Sequence, residues 1–396
     1  MNDFFISVSK LCLGVSLSLR SPERGIRSAL LLVLANVATK TGQLVWRNSP
    51  WLIPTFAEPR ANARRLTFSE SIQGDNMGDV FAGVDLGGTR IKAALATGDG
   101  TLVLEQKTET QSHSGPDVVL ERIADLVTQM ADETGHQVVS LGMGVPGLVD
   151  LESGTTKFLP NMPTQWRDVP AAAVLREKLG CQVQLLNDAR IATLGELRFG
   201  HGQGRDDLTM AFFGLGTGVG GGVAIDGRLR LGPLGAAGEL GHQSIIPDGP
   251  MCGCGNRGCL ETLVSGTAIA AEGIRLMRTG LAPTLYDLVE GDAQKVTTKA
   301  MAEAAHAGDE IIHDAIHKAA EYLGVAIANV VTVLHPELVV IGGGVAEMGD
   351  LLMQPVRDTV KARVRMFPTD GVEITRSKMG EQAGVMGAVA LAIESV

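Results

Sequence analysis

The chain has 396 residues, 45% of them hydrophobic and only 4% aromatic, with 50 glycines; that is apolar material for two domains with their own cores and glycine for many tight turns. The net charge of −10 is uneven, since residues 1–76 carry nine Lys/Arg against five Asp/Glu and the remaining 320 positions carry 25 against 39. So acidic a body repels nucleic acid and anionic membranes, leaving backbone N–H groups and a metal ion to hold any phosphate-bearing ligand, and no run of about 18 apolar residues offers a membrane span.

Residues 1–76 hold two of the three tryptophans and show no sustained helical or strand period. ALLLVLANVA at 29–38, behind Arg20, Arg24 and Arg27, has the outline of a signal-peptide core but begins far from Met1. A helix-turn-helix needs two periodic helices across a short turn, and this segment offers one, around 26–39. The stretch reads as foreign to the fold: a start assigned upstream of a true start at Met77, a disordered or weakly helical appendage, or a regulatory domain.

An ordered pattern begins at Val80. VFAGVDL, TRIKAALA and TLVLEQKTE predict three strands separated by glycine turns. GPDVVLERIADLVTQMADETG predicts an amphipathic helix opened by Pro116 and closed by Gly135. Strand QVVSLGMGV, helix VPAAAVLREKLG, strand CQVQLLN and helix DARIATLGELRFG follow, an alternation that implies an α/β fold with a parallel sheet covered by helices. LTMAFFGLGTGVGGGVAIDGRLRLG then repeats strand, glycine turn and strand, as a duplicated α/β domain would. Residues 259–335 read as mostly helical, ELVVIGGGVA as a buried strand running into three glycines, and AGVMGAVALAIE as a closing helix. The expected domains are 77–187 and 188–396, with the last helix packing back on the first of them.

The chemistry concentrates at few places. Asp85-Leu86-Gly87-Gly88-Thr89 lies between two strands, where absent side chains let backbone N–H groups approach an anion and Asp85 can hold magnesium, directly or through water. Gly216-Thr217-Gly218-Val219-Gly220-Gly221 fits G-x-G-x-x-G in form, but a strand follows where the dinucleotide fingerprint needs a helix, and no Gly-Lys pair exists for a Walker A loop. Taken singly, each turn is equally a plain hairpin. Asp188, between a strand and a helix, sits at the rim where open α/β sheets bind ligands; read alone it is an N-cap.

His242, Cys252, Cys254 and Cys259 fall within eighteen positions, 242–259. C-x-C-x4-C with glycines between, plus one imidazole, suits a closed tetrahedral zinc site with no place for water, and therefore a structural one; disulfides are the bland alternative. Cys12 and Cys181 stand alone, a usage that suggests the reducing cytoplasm. Glu239, His242 and Glu261 supply fixed acceptors of the kind that grip vicinal hydroxyls, with Asn161 and Gly147 as further contacts. His313 and His317 read as surface residues of a helix.

DLGGTRIK, GVPGLVD, LLNDA, GLGTGVGGG, AGELGH, CGCGNRGCLE and VVIGGGV, in this order over residues 80–394, resemble the ROK family of sugar kinases and repressors, and within it the bacterial ATP-dependent glucokinases. The resemblance implies the actin-like, ribonuclease-H-like fold, with two α/β domains closing over a cleft, in a homodimer or homotetramer. It implies that Asp188 is the general base toward a sugar 6-hydroxyl, and that Gly147, Asn161, Asn187, Glu239, His242 and Glu261 contact the sugar. ATP and magnesium would be held by Asp85, Gly87, Gly88, Thr89 and Lys92 in the first turn and by Gly216, Thr217, Gly218 and Gly220 in the second, with Gly342, Gly343 and Gly344 against adenosine. His242 would serve zinc through one ring nitrogen and sugar through the other. Two departures stand out: Arg190 where relatives often read NDAN, and Leu148 where some acylamino-sugar kinases of the family carry arginine. The second tilts the reading toward glucose over N-acetylmannosamine or N-acetylglucosamine, and a fructose kinase of the family stays a further alternative. Polyphosphate as donor and a sugar-responsive repressor are the rival readings.

Overall fold

The computed structural model describes residues 78–396; the expectations for 1–76, including the upstream start and the single helix, lie outside the described residues. Strands β1 (Asp79–Leu86), β2 (Arg90–Ala96), β3 (Leu102–Glu109), β4 (Gln137–Val145) and β7 (Gln182–Asn187) form one sheet in the order β3-β2-β1-β4-β7. Strands β8 (Met210–Leu215), β9 (Val219–Ile225), β10 (Arg228–Leu229), β11 (Leu338–Gly342) and β12 (Glu373–Arg376) form a second in the order β10-β9-β8-β11-β12. The plan is the same twice: a first strand with an antiparallel hairpin partner on one side and parallel strands on the other. Each hairpin therefore delivers its glycine turn to the end of its sheet's founding strand.

Helix α1 (Pro116–Thr134) has Pro116 in its first turn and ends at Gly135 in the left-handed region (φ 68°). Its buried residues, among them Leu120, Ile123, Val127 and Met130, recur at helical spacing and cover the first sheet's core. Helix α2 (Ala171–Leu179) joins the same core, whereas α3 (Asp188–Arg198) leaves β7 directly. Helices α4 (Glu261–Val264), α5 (Gly266–Arg278), α6 (Pro283–Leu288), α7 (Thr298–His306), α8 (Glu310–Leu334) and α9 (Asp350–Arg363) build the larger second core around β8 and β11. The short hairpin β5 (Leu148–Asp150) with β6 (Thr155–Phe158), and the strand β12, have no counterpart in the sequence reading, and the strand expected after the second glycine turn breaks at Asp226-Gly227 into β9 and β10. His313 and His317 are exposed on α8.

The last helix, α10 (Ala383–Glu394), lies across β1 and β4 and crosses α3. Its closeness depends on glycine: a Cβ at Gly83 would stand 2.4 Å from Val385 O, one at Gly142 2.1 Å from Ala388 O, and one at Gly387 1.8 Å from Ile191 O. Ser140 Oγ, buried in β4, donates to Ala392 O at 2.6 Å. Gly142→Val should consequently lower stability by roughly 3 kcal/mol or more, because backbone cannot move aside as a side-chain tip can. Chemical denaturation of the variant beside the parent checks this; an unchanged midpoint would mean that the helix tolerates displacement.

Candidate active site

Where β7 runs into α3, Asn187 is the N-cap: its side-chain oxygen accepts from the N–H groups of Ala189 (3.0 Å) and Arg190 (3.4 Å). The expectation that Asp188 caps this helix is thus corrected. Asn and Asp are about equal as caps, and the chain gives the task to the first of the two. Asp188 becomes the first helical residue, its Oδ1 accepting only from its neighbour Ala189 N–H at 2.8 Å. Burial pushes its pKa up to about 6; Asp85 and Glu239 push the same way, while the Ala189 N–H and Arg190 oppose. A carboxylate poised near neutrality is suited to taking a proton.

Asp85 lies one residue from the end of β1, in register with Lys92 on β2. Burial raises its pKa against the pull of Lys92. Gly384 at the start of α10 leaves the room it occupies, since a Cβ there would be 2.7 Å from Asp85 Oδ2. In the turn itself Gly87 N–H donates to Arg90 O (2.9 Å) and Thr110 Oγ1 to Gly87 O (2.7 Å), while Thr89 is exposed. Gly88 borders Asn161, whose carbonyl would be 3.4 Å from a Cβ. Lys92 Nζ reaches Glu381 O at 3.3 Å.

Gly147, Asn187 and Glu239 line one small depression together with Leu148 and Gly235. Gly147 admits no side chain, because a Cβ would meet Phe158 O at 2.2 Å, and its own carbonyl accepts from Asn187 Nδ2 at 3.2 Å. Glu239 is 42% exposed, with Oε2 3.9 Å from His242 Nε2. The other ring nitrogen of His242 faces Cys252 Sγ at 3.6 Å, so the imidazole stands between the thiol cluster and the depression.

The four ligand atoms of His242, Cys252, Cys254 and Cys259 all lie within 4.8 Å of one another. A tetrahedral zinc with bonds of 2.0 to 2.3 Å would separate sulfur from sulfur by about 3.8 Å and sulfur from nitrogen by about 3.6 Å. Cys254 Sγ and Cys259 Sγ are 3.7 Å apart, far beyond a disulfide bond, and the Cys252–His242 separation fits equally well. The cluster is compatible with a zinc site. Burial and neighbouring thiols push Cys259 up to about 12, so a thiolate there needs a cation beside it.

Glu261, at the start of α4, does not join the depression. Its Oε2 accepts from Val219 N–H at 3.0 Å and its Oε1 lies 3.7 Å from Cys252 Sγ, so it ties the cysteine loop to the second glycine turn. That turn packs on the helix carrying Asp188: a Cβ on Gly220 would be 2.7 Å from Ala189 Cβ. Beyond it opens a cavity of about 390 Å³ lined by Gly216, Thr217, Gly266, Thr267, Thr297 and Gly344, among others. Gly342 and Gly343 sit behind the wall against Phe212 and Leu215. The sequence singles out neither the hydroxyls of Thr267 and Thr297 nor the burial of Arg190, a departure from the family motif whose partners Ala236 and Glu239 lie 46 and 49 positions away.

The family model described as "ROK family" matches residues 81–395. A glucokinase of Thermotoga maritima is 36% identical over 317 residues, covering 79% of this chain and 97% of the relative. The crystal structure of a ROK family glucokinase from Streptomyces griseus in complex with glucose and AMPPNP superposes with a TM-score of 0.69 at 33% identity, covering 80% of this chain and 99% of that one. A xylose repressor of Caldicellulosiruptor bescii is 30% identical over 317 residues, 79% of this chain and 78% of the repressor.

Proposed function

The chain belongs to the ROK family, with the actin-like fold of its solved members, and on that premise we propose that it transfers the γ-phosphoryl group of ATP to the 6-hydroxyl of glucose. The observation that carries the reading is the position of Asp188, a buried carboxyl whose pKa is raised to about 6, in the chain between Asn187, which lines the depression with Gly147 and Glu239, and Ala189, which packs on the second glycine turn. Glucose binds beside Glu239 and His242, with Asn161 reaching it from the first turn's side. Asp188 accepts the 6-hydroxyl proton as that oxygen attacks phosphorus in line, and ADP leaves. No covalent intermediate is needed, since such transfers rest on positioning and charge neutralisation.

The nucleotide occupies the cavity behind Thr217 and Gly344, its phosphates on the N–H groups of the two turns. Asp85, one residue from the end of its strand, would hold magnesium, which would supply charge neutralisation to the phosphates. His242 and the three cysteines would hold zinc, which would supply a fixed anchor for the loop; Glu239 and Glu261 would transmit that anchor to the sugar and nucleotide sides.

One other reading draws on a specific observation, the 30% identity to a xylose repressor: a sugar-responsive regulator that keeps the site for binding alone. A coupled ADP-release assay on the full chain, run with glucose, N-acetylmannosamine, N-acetylglucosamine and fructose, separates the possibilities. Glucose should give the highest kcat/KM. An acylamino sugar in first place would overturn the inference from Leu148, and sugar binding without turnover would favour the regulator.

A further inference from the structure

Arg190 is 1% exposed, a charge buried in the wall of the candidate sugar site. Such a group is tolerated only when its donors are largely met, and four hydrogen bonds engage four of its five N–H groups. Its Nε donates to Ala237 O (3.0 Å), Nη1 to Asn187 Oδ1 (3.1 Å), and Nη2 to Ala236 O (3.0 Å) and Glu239 Oε1 (2.8 Å). One side chain at the third position of α3 thereby fixes the backbone that leads into the cysteine loop, the amide that caps its own helix, and one oxygen of the glutamate that faces the depression. The Asn187 amide is oriented without ambiguity: its oxygen takes N–H donors from Ala189, Arg190 and the guanidinium, so its Nδ2 must be the atom turned to Gly147 O. Only Oε2 of Glu239 is left to a ligand, on the side of His242 Nε2.

We propose that Arg190 is the positioning residue of the acceptor site, aiming the free oxygen of Glu239 at a neutral polyhydroxyl ligand and locking the 236–239 segment in the binding shape. This rests on the hexokinase reading above. The mechanism is preorganisation: a carboxylate held by a planar fork at one oxygen presents the other in a single direction, and a hydroxyl binding there does not have to order it first. Arg190 touches no reacting atom in this account and acts through Glu239.

The test compares the full chain with Arg190→Met, Arg190→Lys, Glu239→Gln and the double variant Arg190→Met/Glu239→Gln. Glucose binding is read by calorimetry without nucleotide and turnover by steady-state kinetics. Arg190→Met should weaken glucose binding and raise its KM by roughly 30-fold or more, as expected when the buried member of a hydrogen-bonded charge pair is cut away. KM for ATP should stay within about twofold, and Arg190→Lys, which keeps the charge without the fork, should fall between. Because Arg190 acts through Glu239, the double variant should bind glucose no more than about twofold worse than Glu239→Gln alone. Equal losses for glucose and ATP, or losses that multiply in the double variant, would reduce Arg190 to a structural residue and overturn the proposal. A parent that neither binds nor phosphorylates any hexose would instead sink the hexokinase reading and this one with it, an outcome distinguishable because it shows before any variant is made.

Discussion

Asp188→Asn lowers kcat for glucose phosphorylation by about 10³-fold or more, with glucose affinity nearly kept, because the amide fills the same space and cannot take the hydroxyl proton. The parent's kcat/KM should fall on the acid side of about pH 6, where the carboxyl becomes protonated. Stability moves the other way. A carboxyl whose folded pKa lies above the usual 3.8 is protonated more readily in the folded than in the unfolded chain. Stability is therefore highest below pH 4 as far as this group is concerned, and is lost as pH rises through 6, a cost on the order of 2–3 kcal/mol at neutrality. Asp188→Asn should melt higher than the parent at pH 7, and the two should converge near pH 4. Thermal scans at both pH values read this directly. A variant less stable than the parent at pH 7 would mean that Asp188 is a structural carboxylate held in a satisfied network.

Replacing Cys259 by serine is expected to have the second largest effect. The thiol is fully buried and part of the quartet with His242, Cys252 and Cys254. Losing it should abolish stoichiometric metal, measured by elemental analysis at one zinc per chain in the parent, and lower the melting temperature well outside experimental scatter. The loss should reach both substrates, because the loop touches the sugar side through His242 and Glu239 and the nucleotide side through Glu261 and Val219. kcat/KM should drop by roughly 10- to 100-fold, the range for disturbed support around a metal. Retained activity in a metal-free chain would confine the quartet to a local fold.

The sequence and the structure agree where the physics is local. The two glycine hairpins are legible because alternating strands break at glycine at the end of β1 and again at the end of β8. The quartet is legible because C-x-C-x4-C has few other uses. What was hidden depends on distance or on competition between near-equals. Asn187 and Asp188 are both good caps, and only the folded backbone shows which one turns to the helix and which is left as a carboxylate of raised pKa. Arg190 would be expected in water like most arginines; its partners Ala236, Ala237 and Glu239 arrive from a loop after the second hairpin. The strand β12 has four residues, too few for a period to declare itself. Glu261 holds Val219 N–H through one carboxylate oxygen, a tie between the cysteine loop and the second glycine turn that its sequence position does not announce.

The most direct measurement is identification of the product, by phosphorus NMR, when the full chain is mixed with glucose, ATP and magnesium beside the same mixture with Asp188→Asn. The account predicts glucose 6-phosphate and ADP in equal amounts from the parent and almost none from the variant. Inorganic phosphate without sugar phosphate, or equal product from both proteins, would contradict it.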